Sequence, residues 1–385
     1  MSAIDLQLET SRNAATPELR VASGAIIAFR LFDVAHEIDL VKAETIWARQ
    51  SRVASRSRLS TTPPKAMGFG VPPLVLALDP VPVEVGGRIL QASVSARLFD
   101  FGVLSFALRV SADDLPWTDF VALHDAVDSS VGPQAPSKIW QDWLAQVTTV
   151  LGAALSRPVP SAYEEDYIVG YVQKFSQNLT AADLQSRIDL PAFLSGETRK
   201  LSDSARAELM RQRFSYYTDD LVVLTWDRAF IYEPRGDSDV MDVIEVANAQ
   251  LLELRYYDEM LDAELPRMYD LVEAARGTHL SFSSRRFANL ARRLYTMVAE
   301  VTELTEKVDN ALQVTEDVYL ARIYGAALEL FRVRMVEVAV GRKLAIMRDT
   351  YIALNDEAAG RRGELMEFLI LALVATEVIL AFVRH

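Results

Sequence analysis

A chain of 385 residues, half of them hydrophobic and 24% charged, is long enough for two domains with real cores. A formal charge of -13 and a pI near 4.9 disfavour a general nucleic-acid binder, which normally carries a basic footprint. The absence of cysteine excludes disulfides, thiolate nucleophiles and cysteine metal sites together.

Residues 1–20 are polar and hold Asp5, Glu9 and Glu18 without a basic n-region. They read as a disordered N-terminus, and as neither a secretory signal nor an Arg-rich mitochondrial presequence. The first ordered element is a β-rich run at 22–31, followed by a helical pattern at 36–50. Arg49, Arg52, Arg56, Arg58 and Lys65 then gather in and beside SRVASRSRLSTTPPK, whose serines and prolines predict a solvated, mobile loop, with contact to anionic lipid or RNA as the sharper alternative. Runs at 73–78, 88–98 and 102–110 predict a small antiparallel meander. Asp113 or Asp114 is placed to cap a helix with Pro116 in its first turn, and a second helix spans 137–155 before Pro158 and Pro160. A strand at 166–175, helices at 181–188 and 203–213, and paired strands at 220–225 and 228–233 complete an α+β domain over 21–235.

From 237 the texture is helical without strands. One helix runs to about 264, and Pro266 restarts it up to Gly277. The next begins near Ser281 and carries the clearest periodicity in the chain. Phe287, Leu294, Val301 and Val308 fall at one heptad position, and Leu290, Met297 and Leu304 at the other, which is a coiled-coil seam. A second seam follows as Val340, Leu344, Met347, Tyr351, Leu354 and Ala358. Two seams joined by a weak point near Tyr324 and Gly325 predict a helical hairpin stalk over 237–360, packed on itself and paired with another copy.

The last segment, 364–383, is an almost unbroken apolar run, long enough as a helix to match a bilayer's hydrocarbon core. It predicts a single C-terminal transmembrane helix after the mixed α+β domain and the coiled-coil-like hairpin. Glu367 fits the interface, whereas Glu377 lies deep, where a carboxylate costs about 2.5 to 3.5 kcal/mol, so the anchors are expected to associate through it. Arg361 and Arg362 precede the run and place the N-terminal bulk on the cytoplasmic side, as in a single-pass protein of a bacterial inner membrane.

Residues 354–383, LNDEAAGRRGELMEFLILALVATEVILAFV, resemble the end of the family containing the domain of unknown function 155, the sporulation and meiotic-nuclear-division proteins. Arg361, Arg362, Glu364, Glu367 and Glu377 match its charged entrance and its acidic residue inside a terminal anchor. The strands RLFDFGVLSF at 97–106 and LVVLTWDRAFIYE at 221–233 are similar in texture only. The resemblance implies a membrane-anchored, self-associating protein without catalytic residues, and mitochondrial members tied to organellar translation.

The residues name no reaction. His36, His124, His279 and His385 form no ligand spacing, GFG at 68–70 lacks the third glycine of a dinucleotide loop, and neither GxxxxGK[ST] nor GxSxG occurs. Acidic clusters at Glu164–Asp166 and at Asp258, Glu259, Asp262 and Glu264 read as solvated faces, with cation binding or acid/base work as the sharper alternative. No catalytic, cofactor or metal residue is therefore assigned. Trp226, Asp227 and Arg228 form a hairpin turn, and this turn with Arg52, Arg56 and Arg58 is the expected ligand or partner surface. The expected function is a membrane-anchored, self-associating scaffold that meets lipid through its C-terminal helix and an unknown protein partner through its α+β domain. A channel-like transport assembly and a hydrolase using the acidic clusters are the alternatives.

Overall fold

The computed structural model describes residues 18–50, 53–57, 67–159, 163–197, 199–276, 283–310, 312–314 and 319–383. The chain opens with β1 (Arg20–Asp33), β2 (Ala35–Ile38) and α1 (Leu40–Ala48). Strands β3 (Ala54–Arg56), β4 (Met67–Phe69), β5 (Leu74–Ala77), β6 (Val81–Val85), β7 (Arg88–Leu98), β8 (Val103–Ser111) and β9 (Leu115–Pro116) follow. Next come α2 (Trp117–Val131), α3 (Ile139–Leu151), β10 (Leu155–Pro158), β11 (Glu164–Phe175), α4 (Ala181–Arg187), α5 (Leu190–Ser195) and α6 (Asp203–Leu209). Strands β12 (Arg213–Phe214), β13 (Leu221–Leu224) and β14 (Arg228–Tyr232) lead into α7 (Asp239–Arg276), α8 (Ser283–Asp309), β15 (Leu312–Val314), α9 (Tyr319–Leu330) and α10 (Val333–Val383). Two compact units result, Met1–Leu252 with Asn310–Phe331, and Glu253–Asp309 with Arg332–His385.

The first unit is built on a sheet of order β12-β13-β14-β11-β1-β8-β7-β5-β3, with β6 beside β7 and β9 beside β1. Its ladders are antiparallel except β11 with β14, where α4, α5 and α6 fill the crossover a parallel pair requires. Central β1 is buried at every residue from 24 to 33, because both faces of the sheet are covered. Ile26, Ala28 and Phe32 enter a core shared with Trp47, Phe106, Phe120 and Phe193. On α2, Trp117 stacks on Phe120 with ring centroids 5.3 Å apart and lies 5.7 Å from Phe193. Residues 239–252 of α7 are buried almost all round, which marks this stretch as an internal helix. Asn248 donates to the Asp166 carbonyl at 3.4 Å, and Tyr324 of α9 hydrogen-bonds Gln250.

The turn between β7 and β8 depends on Gly102, which sits at φ 102 and whose carbonyl oxygen accepts from the Val34 amide at 3.1 Å. A Cβ there would stand 1.8 Å from the Ala35 carbonyl oxygen, and a backbone atom cannot swing away.

Several expectations are corrected. The helix after β9 starts on Pro116 with no side-chain cap, since Asp113 accepts from the Gly24 amide at 3.2 Å and Asp114 pairs with Arg20 at 3.1 Å. Pro266 does not end its helix; it lies inside α7 on an exposed position, where the long flanking segments hold the axis. Tyr324 and Gly325 are no weak point between seams but the middle of α9, with Tyr324 buried in the first unit. Arg332, the first residue of the second unit after α9, adopts a left-handed φ of 57.

The second unit packs α7 from Glu253 onward with α8 and α10 around Tyr257, Leu261, Met268, Leu294, Val301, Val340 and Met347. Met297, Leu344 and Tyr351 border this core, and Val308 is fully buried. Phe287, Leu290, Leu304, Leu354 and Ala358 have side chains outside the described residues. Among the described residues, no helix is long and apolar enough to cross a membrane. The transmembrane helix expected at 364–383 is thereby withdrawn, and with it the lipid contact, the single-pass membrane localisation and the orientation argued from Arg361 and Arg362. That stretch is the end of the 51-residue α10, and both Glu367 and Glu377 stand exposed within it.

Candidate functional site

The Trp226–Arg228 turn joins β13 to β14, and Thr225 closes it by donating from Oγ1 to the Arg228 carbonyl at 2.9 Å and to the Asp227 carboxylate at 3.1 Å. Below it the Tyr167 hydroxyl donates to the carbonyls of Thr225 and Arg228 at 3.0 and 2.8 Å. Arg228 turns inward. Its guanidinium lies 2.7 Å from Asp128, 3.5 Å from Asp125 and 3.5 Å from Asp227. Gly196, at φ 63, leaves the room this guanidinium fills, since a Cβ there would approach it to 2.6 Å. Trp226 alone of the triplet points out, 72% exposed.

Arg30 extends this network from β1, reaching Glu164 at 3.2 Å and the Val131 carbonyl at 3.4 Å. Burial raises the pKa of Asp166 and of Asp227, with the Arg30 and Arg228 charges opposing in turn. His124 of α2 is fully buried against the Phe193 ring at 4.4 Å, and burial pushes its pKa down, so the ring is held neutral. Cations and carboxylates here satisfy one another inside the fold.

Arg56 lies not in a mobile loop but on edge strand β3, where it pairs with Glu44 at 3.0 Å and donates to the Pro72 carbonyl at 3.1 Å. Arg52, Arg58 and Lys65 lie outside the described residues. The acidic cluster on α7 is met by Lys343 of α10, 2.7 Å from Asp258 and 2.6 Å from Asp262. Burial alone would lower the Lys343 pKa; its bonds to these two carboxylates outweigh that and raise it. Glu264 pairs with Arg267 at 2.7 Å. Among the described residues, no group of three or more His, Asp or Glu is placed to hold a metal.

Two buried charge sites were beyond sequence reasoning. Arg97 of β7 binds Asp242 at 2.6 Å and Glu245 at 3.1 Å, fastening the start of α7 to the sheet. Asp33, at the end of β1, is 1% exposed, and no well-formed hydrogen bond reaches its carboxylate oxygens. Burial raises its pKa to about 7, and the nearby Ala35 amide offsets little of this.

The third missed feature is a surface. Along α10, Met335, Val338, Ile346, Ile352, Ile370, Leu371, Leu373 and Val374 are all exposed. Met335, Val338 and Ile346 lie opposite the Val340–Tyr351 seam, whereas residues 371–377 are exposed on every side of the helix. Of the residues assigned to the anchor, Glu367 and Glu377 are exposed on α10, and the side chains of Arg361 and Arg362 lie outside the described residues.

Comparison with known proteins places the first unit. The protein called "Uncharacterized protein MJ0711" of Methanocaldococcus jannaschii is 26% identical over 196 residues, covering 51% of this chain and 59% of that protein. The chain thus spans less than two thirds of the curated relative it matches. No solved structure matches. The resemblance of residues 354–383 to the family of the domain of unknown function 155 is overturned, because apolar helices with acidic flanks look alike by composition, while the family match falls on the sheet unit. Residues 23–239, more than half of the chain, match the family described as "Uncharacterized protein MJ0711, N-terminal domain", and the chain belongs to that family.

Proposed function

We propose that this protein is a self-associating interaction protein, in which the helical unit joins copies of the chain and the sheet unit offers a binding surface that includes Trp226. The observation that carries the reading is the exposed apolar surface of α10, from Met335 and Val338 to Leu371, Leu373 and Val374, which remains after Val340 and Met347 have entered the core of their own unit. Exposed apolar patches rimmed by charge are characteristic of protein contacts. Arg30, Arg97 and Arg228 are themselves largely buried and each is committed to carboxylate partners, which favours a structural role for those charges over catalysis. Sedimentation velocity of the full chain across a hundred-fold concentration range tests it. The expected result is an oligomer that dissociates on dilution, and that Leu371→Asp with Val374→Asp converts to monomer at unchanged helicity. A wild-type chain that sediments as monomer throughout, or an oligomer indifferent to both substitutions, contradicts the reading.

A further inference from the structure

The network around Arg228 has one loose place. Nδ1 of His124 and Nη1 of Arg228 each lie 3.5 Å from the same oxygen, Oδ1 of Asp125. Among the described residues, neither nitrogen makes a well-formed hydrogen bond, and neither does Nε2 of His124. The ring is fully buried, so bulk water does not reach it, whereas the Asp125 side chain is half exposed.

One short helix couples this place to the Trp226 turn. α5 carries Phe193, whose ring centroid lies 4.4 Å from that of His124, and it ends at Gly196, against which the Arg228 guanidinium packs. Arg228 opens β14 directly after Trp226 and Asp227, and it is also held by Asp128 at 2.7 Å and Asp227 at 3.5 Å. The charges acting on the ring are Asp125 and Asp128 from α2 itself, which favour its protonation, and Arg228 from β14, which opposes it. Phe193 brings no charge from α5, and Arg30 of β1 is spent on Glu164 and the Val131 carbonyl. Burial is the largest influence on the ring and keeps it neutral.

A proton on His124 disturbs several contacts at once. The imidazolium takes the stronger claim on the contested Asp125 oxygen, two cations then flank that oxygen, and both ring nitrogens become donors inside an aromatic cluster. An arrangement in which the ring reaches water binds the proton more tightly than the buried one, so falling pH populates it. We propose that His124 is an acid-sensitive latch for the β13–β14 turn: when the ring takes up a proton it leaves its seat on Phe193 and draws Asp125 from Arg228, and the turn carrying Trp226 changes its setting. The latch would regulate the Trp226 surface of the reading above, yet it is read from the turn itself without any partner, so either can fail alone.

Trp226 emission, taken as the difference between the full-length wild type and Trp226→Phe at sub-micromolar concentration, is followed from about pH 8 to about pH 4 beside far-UV circular dichroism. The expected result is a sigmoidal change with its midpoint below the ordinary histidine pKa of about 6.5, while helicity holds. In His124→Gln, which cannot take up the proton, that step is expected to vanish. In Asp125→Asn, a substitution at a half-exposed position, it is expected to move to lower pH, because the carboxylate that favours the charged ring is gone. A step of wild-type midpoint in His124→Gln assigns the change to Asp227 or Asp166, whose pKa values burial raises, and overturns the latch. A wild type with no step, a step that coincides with loss of helicity, or a midpoint that does not fall in Asp125→Asn overturns it as well.

Discussion

Replacing Asp33 by Asn tests the energetic account of the sheet unit at its most costly group. The carboxyl is 1% exposed at the end of β1, and its pKa is raised from 3.8 to about 7 because burial disfavours the charged form. A folded pKa above the unfolded one means that the folded state binds the proton more tightly. Stability from this site is therefore fully present below pH 4, falls as pH rises toward 7, and is flat above that. A pKa of about 7 against 3.8 converts, at about 1.4 kcal/mol per pH unit, to about 4 kcal/mol lost between those limits. Asn has nearly the shape of the protonated acid and no charge to bury. Asp33→Asn is expected to match the wild type near pH 4 and to exceed it by a few kcal/mol at pH 8. Trp47, Trp117, Trp140, Trp143 and Trp226 all lie in the first unit, so tryptophan fluorescence in urea at each pH follows that unit alone. Differences between variant and wild type cancel the other buried carboxylates, such as Glu245 and Asp166. A variant no more stable than wild type at pH 8, or a gap that does not widen with pH, refutes the reasoning.

Removing Arg97 strands two buried carboxylates, and Arg97→Ala is expected to destabilise the first unit by about 3 to 5 kcal/mol in the same urea assay, whereas Arg97→Met with Asp242→Leu and Glu245→Leu returns most of that. Gly102→Ala meets the Ala35 carbonyl and is expected to leave the first unit unfolded or at least about 3 kcal/mol weaker, read by loss of near-UV signal. Lys343→Met leaves Asp258 and Asp262 facing α10 unpaired and is expected to lower the thermal midpoint of the helical unit, followed by far-UV circular dichroism, by an amount that shrinks in high salt.

What could be read from the sequence was local. Strand runs at 22–31 and 166–175, the hairpin around Trp226 and the Leu294–Met297–Val301 seam follow from two-residue and heptad spacing, which neighbouring residues alone display. What could not be read was the pairing of charges across the fold. Arg97 meets Asp242 145 positions away, Arg228 meets Asp128 100 away, and Arg30 meets Glu164 134 away. No spacing rule reaches such distances, so Arg228 reads in the sequence as paired only with its neighbour Asp227 on a turn, and Asp258 and Asp262 read as a solvated acidic face. The burial of Asp33 was hidden for the same reason, since Asp33 sits in the ladder opposite Val103, far along the chain. The error at 364–383 was of another kind: total hydrophobicity overrode periodicity. Glu367 and Glu377, both exposed on α10, interrupt the run.

Self-association is the central claim, and the molar mass of the full chain by light scattering at high micromolar concentration tests it most directly. The account predicts a particle of at least twice the 42.9 kDa chain, falling toward 42.9 kDa on dilution. A mass of 42.9 kDa at every concentration contradicts it.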